Sequence, residues 1–144
     1  MAHCGTLEAC GAFEVRPSAR RGSRVRGSRR SLFRPGRLFA ATPLRCRQTL
    51  EPLAARLDLP IVTDSAFAEP GDTEEVATRV KVATARLAEL RDGATAAVCS
   101  QGKVMPPLLA LLRHEEDPAP YKTAKGGGWL LSWSGGTLAG LSRL

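Results

Sequence analysis

The segment AAVCSQGKVMPPL, residues 96–108, combines residue types that can bind an anion. Its polar turn carries Gln101 and Lys103 between a short apolar run and the start of an apolar helix. Backbone N–H groups and the positive end of the helix dipole meet at such a turn, so it attracts anions. Gln101 can donate hydrogen bonds but cannot become cationic, whereas Lys103 brings a positive charge. We therefore predict an anion site in which the residue at the apex of the turn does not titrate.

Strands and helices alternate along the part of the chain that must position this turn. Short apolar runs predict strands at residues 37–41, 59–62, 94–99, 129–133 and 137–141. Apolar residues at helical spacing predict helices over residues 46–57, 72–91 and 103–114. Pro52 in the first of these helices requires a position in the first turn or a kink. The alternation favours an α/β fold with a parallel or mixed sheet.

The helix that begins near residue 72 has both a start signal and an apolar stripe. Asp72 is followed three residues later by Glu75, which is the spacing of a capping box. The apolar stripe, which we expect to face the sheet, consists of Val76, Val80, Ala83, Leu87 and Leu90.

The net positive charge lies in the N-terminal segment. Residues 1–40 contain nine arginines and two glutamates, which accounts for the whole net charge of +7. Residues 14–31, EVRPSARRGSRVRGSRRS, show no hydrophobic period and bury too little apolar surface to offset chain entropy. We therefore expect residues 1–31 to be a disordered basic segment, whose deletion leaves stability nearly unchanged, and residues 32–144 to form one domain. A solvated tail, or sequence outside the native reading frame, is favoured over nucleic-acid binding, because no aromatic side chains interleave with the arginines.

The rest of the composition shows neither a metal signature nor a membrane signature. No apolar run approaches the ~20 residues that span a bilayer, and no signal peptide is recognisable. The four cysteines have no metal-ligand spacing, and we expect Cys46 and Cys99 to be buried thiols. We expect a cytoplasmic protein with no metal, no cofactor and no membrane partner.

Three short motifs resemble those of the histidine phosphatase superfamily, the proteins with the phosphoglycerate-mutase-like fold. ATPLRCRQT, residues 41–49, is similar to the motif in which a strand ends in Ser-x-x-x-Arg, although Ala41 replaces the serine. The resemblance implies that Arg45 clamps a phosphate group, a role that suits the planar fork of arginine. It also implies that Glu69, in the segment FAE, is the general acid that protonates the leaving oxygen.

The third motif is Ser-Gln-Gly at residues 100–102, which keeps the frame of the superfamily's Ser-His-Gly. Gln101 replaces the phosphate-binding histidine, and Lys103 would restore the charge. CSQGKV and LRCRQTLEPLA resemble the phosphatase-like C-terminal half of actinobacterial MutT-type Nudix hydrolases, and this similarity covers residues 33–144. The chain has no Nudix box, and it has no P-loop because Ala97 and Val104 occupy the positions of the required glycine and Ser/Thr.

The main departure from the superfamily is the missing Arg-His-Gly motif, whose histidine is the nucleophile. The histidines here are His3, which no arginine or strand precedes, and His114, at a predicted helix end. His3 is therefore disfavoured as a nucleophile. The resemblance implies an α/β three-layer sandwich that lacks its first strand, with an exposed sheet edge through which two copies could pair.

Three functions remain open from the sequence. The first is a phosphohydrolase-type domain, truncated and weakly active or inactive, that acts on a phosphorylated small molecule or nucleotide. The second is a non-catalytic domain that binds a phosphorylated ligand or a partner. The third, which is disfavoured, is a nucleic-acid binder that uses the basic arm.

Overall fold

A computed structural model describes residues 10–16, as backbone only, and residues 34–144. Its helices are α1 (Leu44–Leu57), α2 (Val76–Leu90) and α3 (Met105–Leu112). Its strands are β1 (Cys10–Arg16), β2 (Arg37–Ala40), β3 (Ile61–Thr63), β4 (Ala96–Gln101), β5 (Gly128–Ser134) and β6 (Thr137–Arg143). No helix in these ranges is long and apolar enough to cross a membrane.

The six strands form one mixed sheet in the order β3-β2-β4-β1-β5-β6. Strands β2, β3 and β4 run parallel, and α1 and α2 lie in the connections between them. Strand β1 runs antiparallel to β4 and parallel to β5, and β5 and β6 form an antiparallel hairpin. The α/β prediction with a parallel or mixed sheet is therefore confirmed.

Strand β4 lies in the core of the molecule. All six of its residues are buried, which requires cover on both faces of the sheet. Helix α1 packs on β2, β3 and β4, whereas α2 packs against α3. The prediction ended this strand at residue 99, but two further residues, Ser100 and Gln101, continue it to the edge of the sheet.

Helix α2 begins four residues later than the capping-box spacing predicted. Residues 72–74 form a turn, and Glu75 precedes the helix without a side-chain cap. Glu74 instead forms an ion pair with Arg79, at 2.7 Å. The predicted stripe is otherwise correct, since four of its five members are buried and only Val76 is exposed.

Helix α1 continues through Pro52, so this proline lies in the helix interior rather than in its first turn. Proline lacks the N–H that would bond to the carbonyl one turn earlier, which weakens the ladder at this point. The helix ends at Asp58, which has a left-handed conformation with φ of 52°.

The N-terminal segment departs from the expectation of disorder at residues 10–16. These residues form β1, which fills the place between β4 and β5 that a missing first strand would leave open. The edges of the described sheet are therefore β3 and β6. Residues 1–9 and 17–33 lie outside the described residues.

The two cysteines that were expected to be buried thiols differ in the structure. Cys46 is a buried thiol that forms no disulfide, as predicted. Cys99 is buried but disulfide-bonded, so the prediction of a thiol at this position is wrong.

Candidate functional site

Three segments of the chain leave the sheet at one edge, because β2, β3 and β4 run parallel. The Ala41 N–H donates to the Cys99 carbonyl at 2.9 Å, and the Asp64 N–H donates to the Ala40 carbonyl at 2.8 Å. These bonds continue the pairing just beyond β2 and β3 and hold the strand ends level. Open α/β sheets bind ligands at this carboxyl edge.

Gln101 and Glu69 meet at this edge. The backbone N–H of Glu69 donates to Oε1 of Gln101 at 2.9 Å. Gln101 is only 3% exposed, and no acceptor among residues 34–144 binds its Nε2. Oε1 already accepts a bond, so the Nε2 donors are the polar atoms of this side chain that remain wholly available to a ligand.

A second hydrogen bond joins the same two segments one residue earlier. The Ser100 hydroxyl donates to the Phe67 carbonyl at 2.7 Å, and both side chains are completely buried. The residue types of the Ser-Gln-Gly motif could suggest polar chemistry, but its contact with residues 67–69 is not readable from the sequence. We refer to residues 67–69 as the acid loop.

Arg45 lies in the first turn of α1, which follows β2, and it is half-buried. Burial raises the pKa of the neighbouring Cys46 thiol, the Arg45 guanidinium lowers that pKa, and the Glu69 carboxylate raises it. Both charged groups therefore lie within electrostatic range of one buried thiol. The cation and the carboxylate that the sequence resemblance selected are brought to the same region.

Lys103 follows β4 and is exposed. Helix α3 begins only at Met105, so Lys103 precedes the helix rather than opening it. Pro106 and Pro107 in the first turn of this short helix lack N–H groups. The turn therefore offers fewer backbone donors than the sequence suggested, and side-chain donors matter more.

Asp64 organises the start of the segment that leads to the acid loop, a role that its place in the sequence did not reveal. One carboxylate oxygen accepts the Ala66 N–H at 3.0 Å, and the other accepts Arg86 Nε at 2.7 Å. Arg79 donates to the Ser65 carbonyl at 2.8 Å. An aspartate directly after a strand is a signal for such a side-chain turn, but the arginines that bind Asp64 and the Ser65 carbonyl come from α2.

The two histidines lie elsewhere or are not described. His114 is exposed just after α3 in a left-handed conformation, and His3 lies outside the described residues. Within residues 34–144 and the backbone of 10–16, no group of three His, Cys, Asp or Glu side chains is placed to hold a metal ion.

Two cavities lie away from the carboxyl edge. One of about 370 Å³ lies between α2 and α3, and one of about 400 Å³ lies beside the β5–β6 turn. None of the predicted site residues lines either cavity.

Comparison with known proteins identifies a homologue that acts on nucleotides. Over 116 residues the chain is 37% identical to the 8-oxo-(d)GTP phosphatase of Mycolicibacterium smegmatis, and this match covers 74% of the chain. The chain spans about a third of the length of that relative, 33%. No family model matches the chain. The chain is thus a distant homologue of part of a protein named as a nucleotide phosphatase.

Proposed function

We propose that the chain is a phosphohydrolase-type domain that binds a phosphorylated nucleotide or another phosphorylated small molecule at the carboxyl edge of β2, β3 and β4. The observation that carries this proposal is the orientation of Gln101, whose Oε1 is engaged by the Glu69 N–H. A buried carboxamide held in this way keeps both Nε2 donors available, and anions require donors. We further propose that the fold is the three-layer, histidine-phosphatase-like sandwich.

Each of the three phosphate-binding residues has a distinct role in this proposal. Arg45 supplies a fixed positive charge and a fork that can hold two phosphate oxygens. Gln101 donates a neutral hydrogen bond from a fixed direction, and Lys103 adds a positive charge from the exposed turn. The named activity of the relative, an 8-oxo-(d)GTP phosphatase, supports a nucleotide as the ligand.

Glu69 is the proposed general acid, which would donate a proton to the oxygen that leaves phosphorus. Its backbone is tied to Gln101, so an acid at this position would lie beside the bound phosphate group. A nucleophile is also required, and the sequence resemblance offers only His3 for this role. We therefore propose that turnover is slow or absent.

A non-catalytic domain that binds phosphorylated ligands is the second candidate. It is favoured by the position of His114, the histidine within residues 34–144, which is exposed after α3 and not at the carboxyl edge. Binding by Arg45 and Gln101 would then persist without hydrolysis.

One experiment separates the two candidates. The full chain is incubated with nucleoside mono-, di- and triphosphates, including 8-oxo-dGTP, and released phosphate is measured beside calorimetric binding of each nucleotide. Binding with turnover that Glu69→Gln abolishes supports the hydrolase. Binding without turnover supports the non-catalytic domain. The absence of both contradicts the proposed function.

A further inference from the structure

The end of β4 holds the acid loop at two consecutive points. The Ser100 hydroxyl donates to the Phe67 carbonyl at 2.7 Å, and Gln101 Oε1 accepts the Glu69 N–H at 2.9 Å. The Phe67 side chain is completely buried, which anchors the start of the loop in the core. Pro70 follows Glu69 and restricts its backbone to extended conformations.

We propose that Ser100 is a positioning residue of the candidate site, which acts with Gln101 to keep the Glu69 carboxyl group beside the bound phosphate. This role rests on the proposed function, because it concerns the same phosphate site. Ser100 is completely buried, so its effect on a ligand must pass through the acid loop.

The two hydrogen bonds depend on each other. The Ser100 bond fixes the Phe67 carbonyl, and the Glu69 N–H lies only two residues further along the chain. When the first bond is lost, the Glu69 N–H is free to move away from Gln101. The carboxamide of Gln101 then loses the contact that directs its N–H donors toward the ligand. Removal of one hydroxyl therefore disturbs both the acid and a phosphate donor.

The electrostatic effect of Glu69 on phosphate provides a measure of its position. An ionised carboxylate close to a phosphate group repels it, so at a pH where carboxyl groups are ionised Glu69→Gln should tighten the binding of inorganic phosphate by about fivefold. If Ser100 positions Glu69, the same substitution should change the affinity less than about twofold in the Ser100→Ala background. A double-mutant cycle of this kind isolates the coupling, because a general loss of stability would shift both affinities equally.

The experiment is isothermal titration of the full chain with inorganic phosphate, using wild type, both single variants and the double variant. Thr84→Val is the matched control, because it removes another hydroxyl-to-carbonyl bond, from Thr84 to Val80 at 2.8 Å, within α2. In this control background, Glu69→Gln should retain its full effect. If Glu69→Gln changes the phosphate affinity as much in the Ser100→Ala background as in the wild type, the positioning role is overturned and the phosphate site stands. If the wild type does not bind phosphate, the proposed function fails and the positioning role fails with it.

Hydrogen exchange of the unmodified chain provides a second measurement that does not depend on the folding of a variant. The Glu69 amide should exchange at least about tenfold more slowly than an unprotected amide, because it donates to a buried acceptor. Exchange at the unprotected rate would overturn the inference even if Ser100→Ala does not fold.

Discussion

Substitution of Arg45 should have the largest effect on phosphate affinity, because its guanidinium combines charge with two parallel donors. A hydrogen bond to a charged group contributes about 1.5–3 kcal/mol, so loss of a bidentate contact in Arg45→Ala should cost roughly 3–4 kcal/mol. This corresponds to a rise in Kd of roughly 100- to 1,000-fold. Arg45→Lys keeps the charge but loses the fork, and its Kd should rise only about tenfold.

Arg56 provides the matched control on the same helix. It lies in the last turn of α1, eleven residues after Arg45. A rise of ~1.5 Å per residue places it roughly 16 Å away, beyond the screening length of about 8 Å at physiological salt. Arg56→Ala should therefore leave the Kd for phosphate unchanged.

The assay is calorimetric titration with inorganic phosphate at physiological salt, with thermal melts to verify that each variant is folded. The expected order of affinity is wild type and Arg56→Ala first, then Arg45→Lys, then Arg45→Ala. Equal affinities of folded Arg45→Ala and Arg56→Ala would refute the assignment of Arg45 to the phosphate site.

Three further predictions concern the core, the buried thiol and the N-terminal strand. Val80→Asp should unfold the chain, because Val80 is only 5% exposed. The control Val82→Asp lies on the same helix at a position that is 43% exposed, and it should shift the free energy of unfolding by less than about 0.5 kcal/mol. Equal urea midpoints of the two variants would contradict this prediction. Burial raises the pKa of Cys46 above its ordinary value of 9.0, so its contribution to stability is complete below that pH and lost as the pH rises through the folded-state value. As the pH rises from 8.5 to 10.5, the free energy of unfolding from urea titrations should therefore fall less for Cys46→Ala than for wild type. Parallel plots of this free energy against pH for the two proteins would refute the prediction. Deletion of residues 1–31 should lower Tm by about 10 °C or more, contrary to the expectation from composition, because β1 joins β4 to β5; an unchanged Tm would count against this position of β1.

Repeating apolar patterns predicted most of the helices and strands, because the periodicity of a helix or strand is visible in its own local sequence. The stripe of α2 at Val80, Ala83, Leu87 and Leu90 is buried, as its helical spacing indicated. The start of α2 was predicted wrongly, because Glu74 pairs with Arg79 and residues 72–74 form a turn. The competing contact joins the turn before the helix to the first turn of the helix, which a capping-box spacing does not reveal.

The position of β1 was not predictable from the composition of its surroundings. Residues 10–16 adjoin an arginine-rich run, and the pattern suggested that the whole segment stays outside the core. Its pairing with β4 and β5 involves residues more than 80 positions away, and strand pairing at that separation leaves no local signal.

The candidate site was predictable only in part. The residue types of Arg45, Gln101 and Lys103 and their places after strands led to the carboxyl edge of the sheet. The contacts of Ser100 with Phe67 and of Gln101 with Glu69 join residues 32 or 33 positions apart, so only the structure reveals them.

The most direct test of the phosphate site is an NMR titration of the uniformly ¹⁵N-labelled full chain with inorganic phosphate. If phosphate binds at the carboxyl edge, saturable amide shifts should concentrate at Cys46, Glu69, Gly102 and Lys103, and Arg45→Ala should abolish them. Shifts that do not saturate, or that concentrate around the cavity between α2 and α3, would contradict a phosphate site at the ends of β2, β3 and β4.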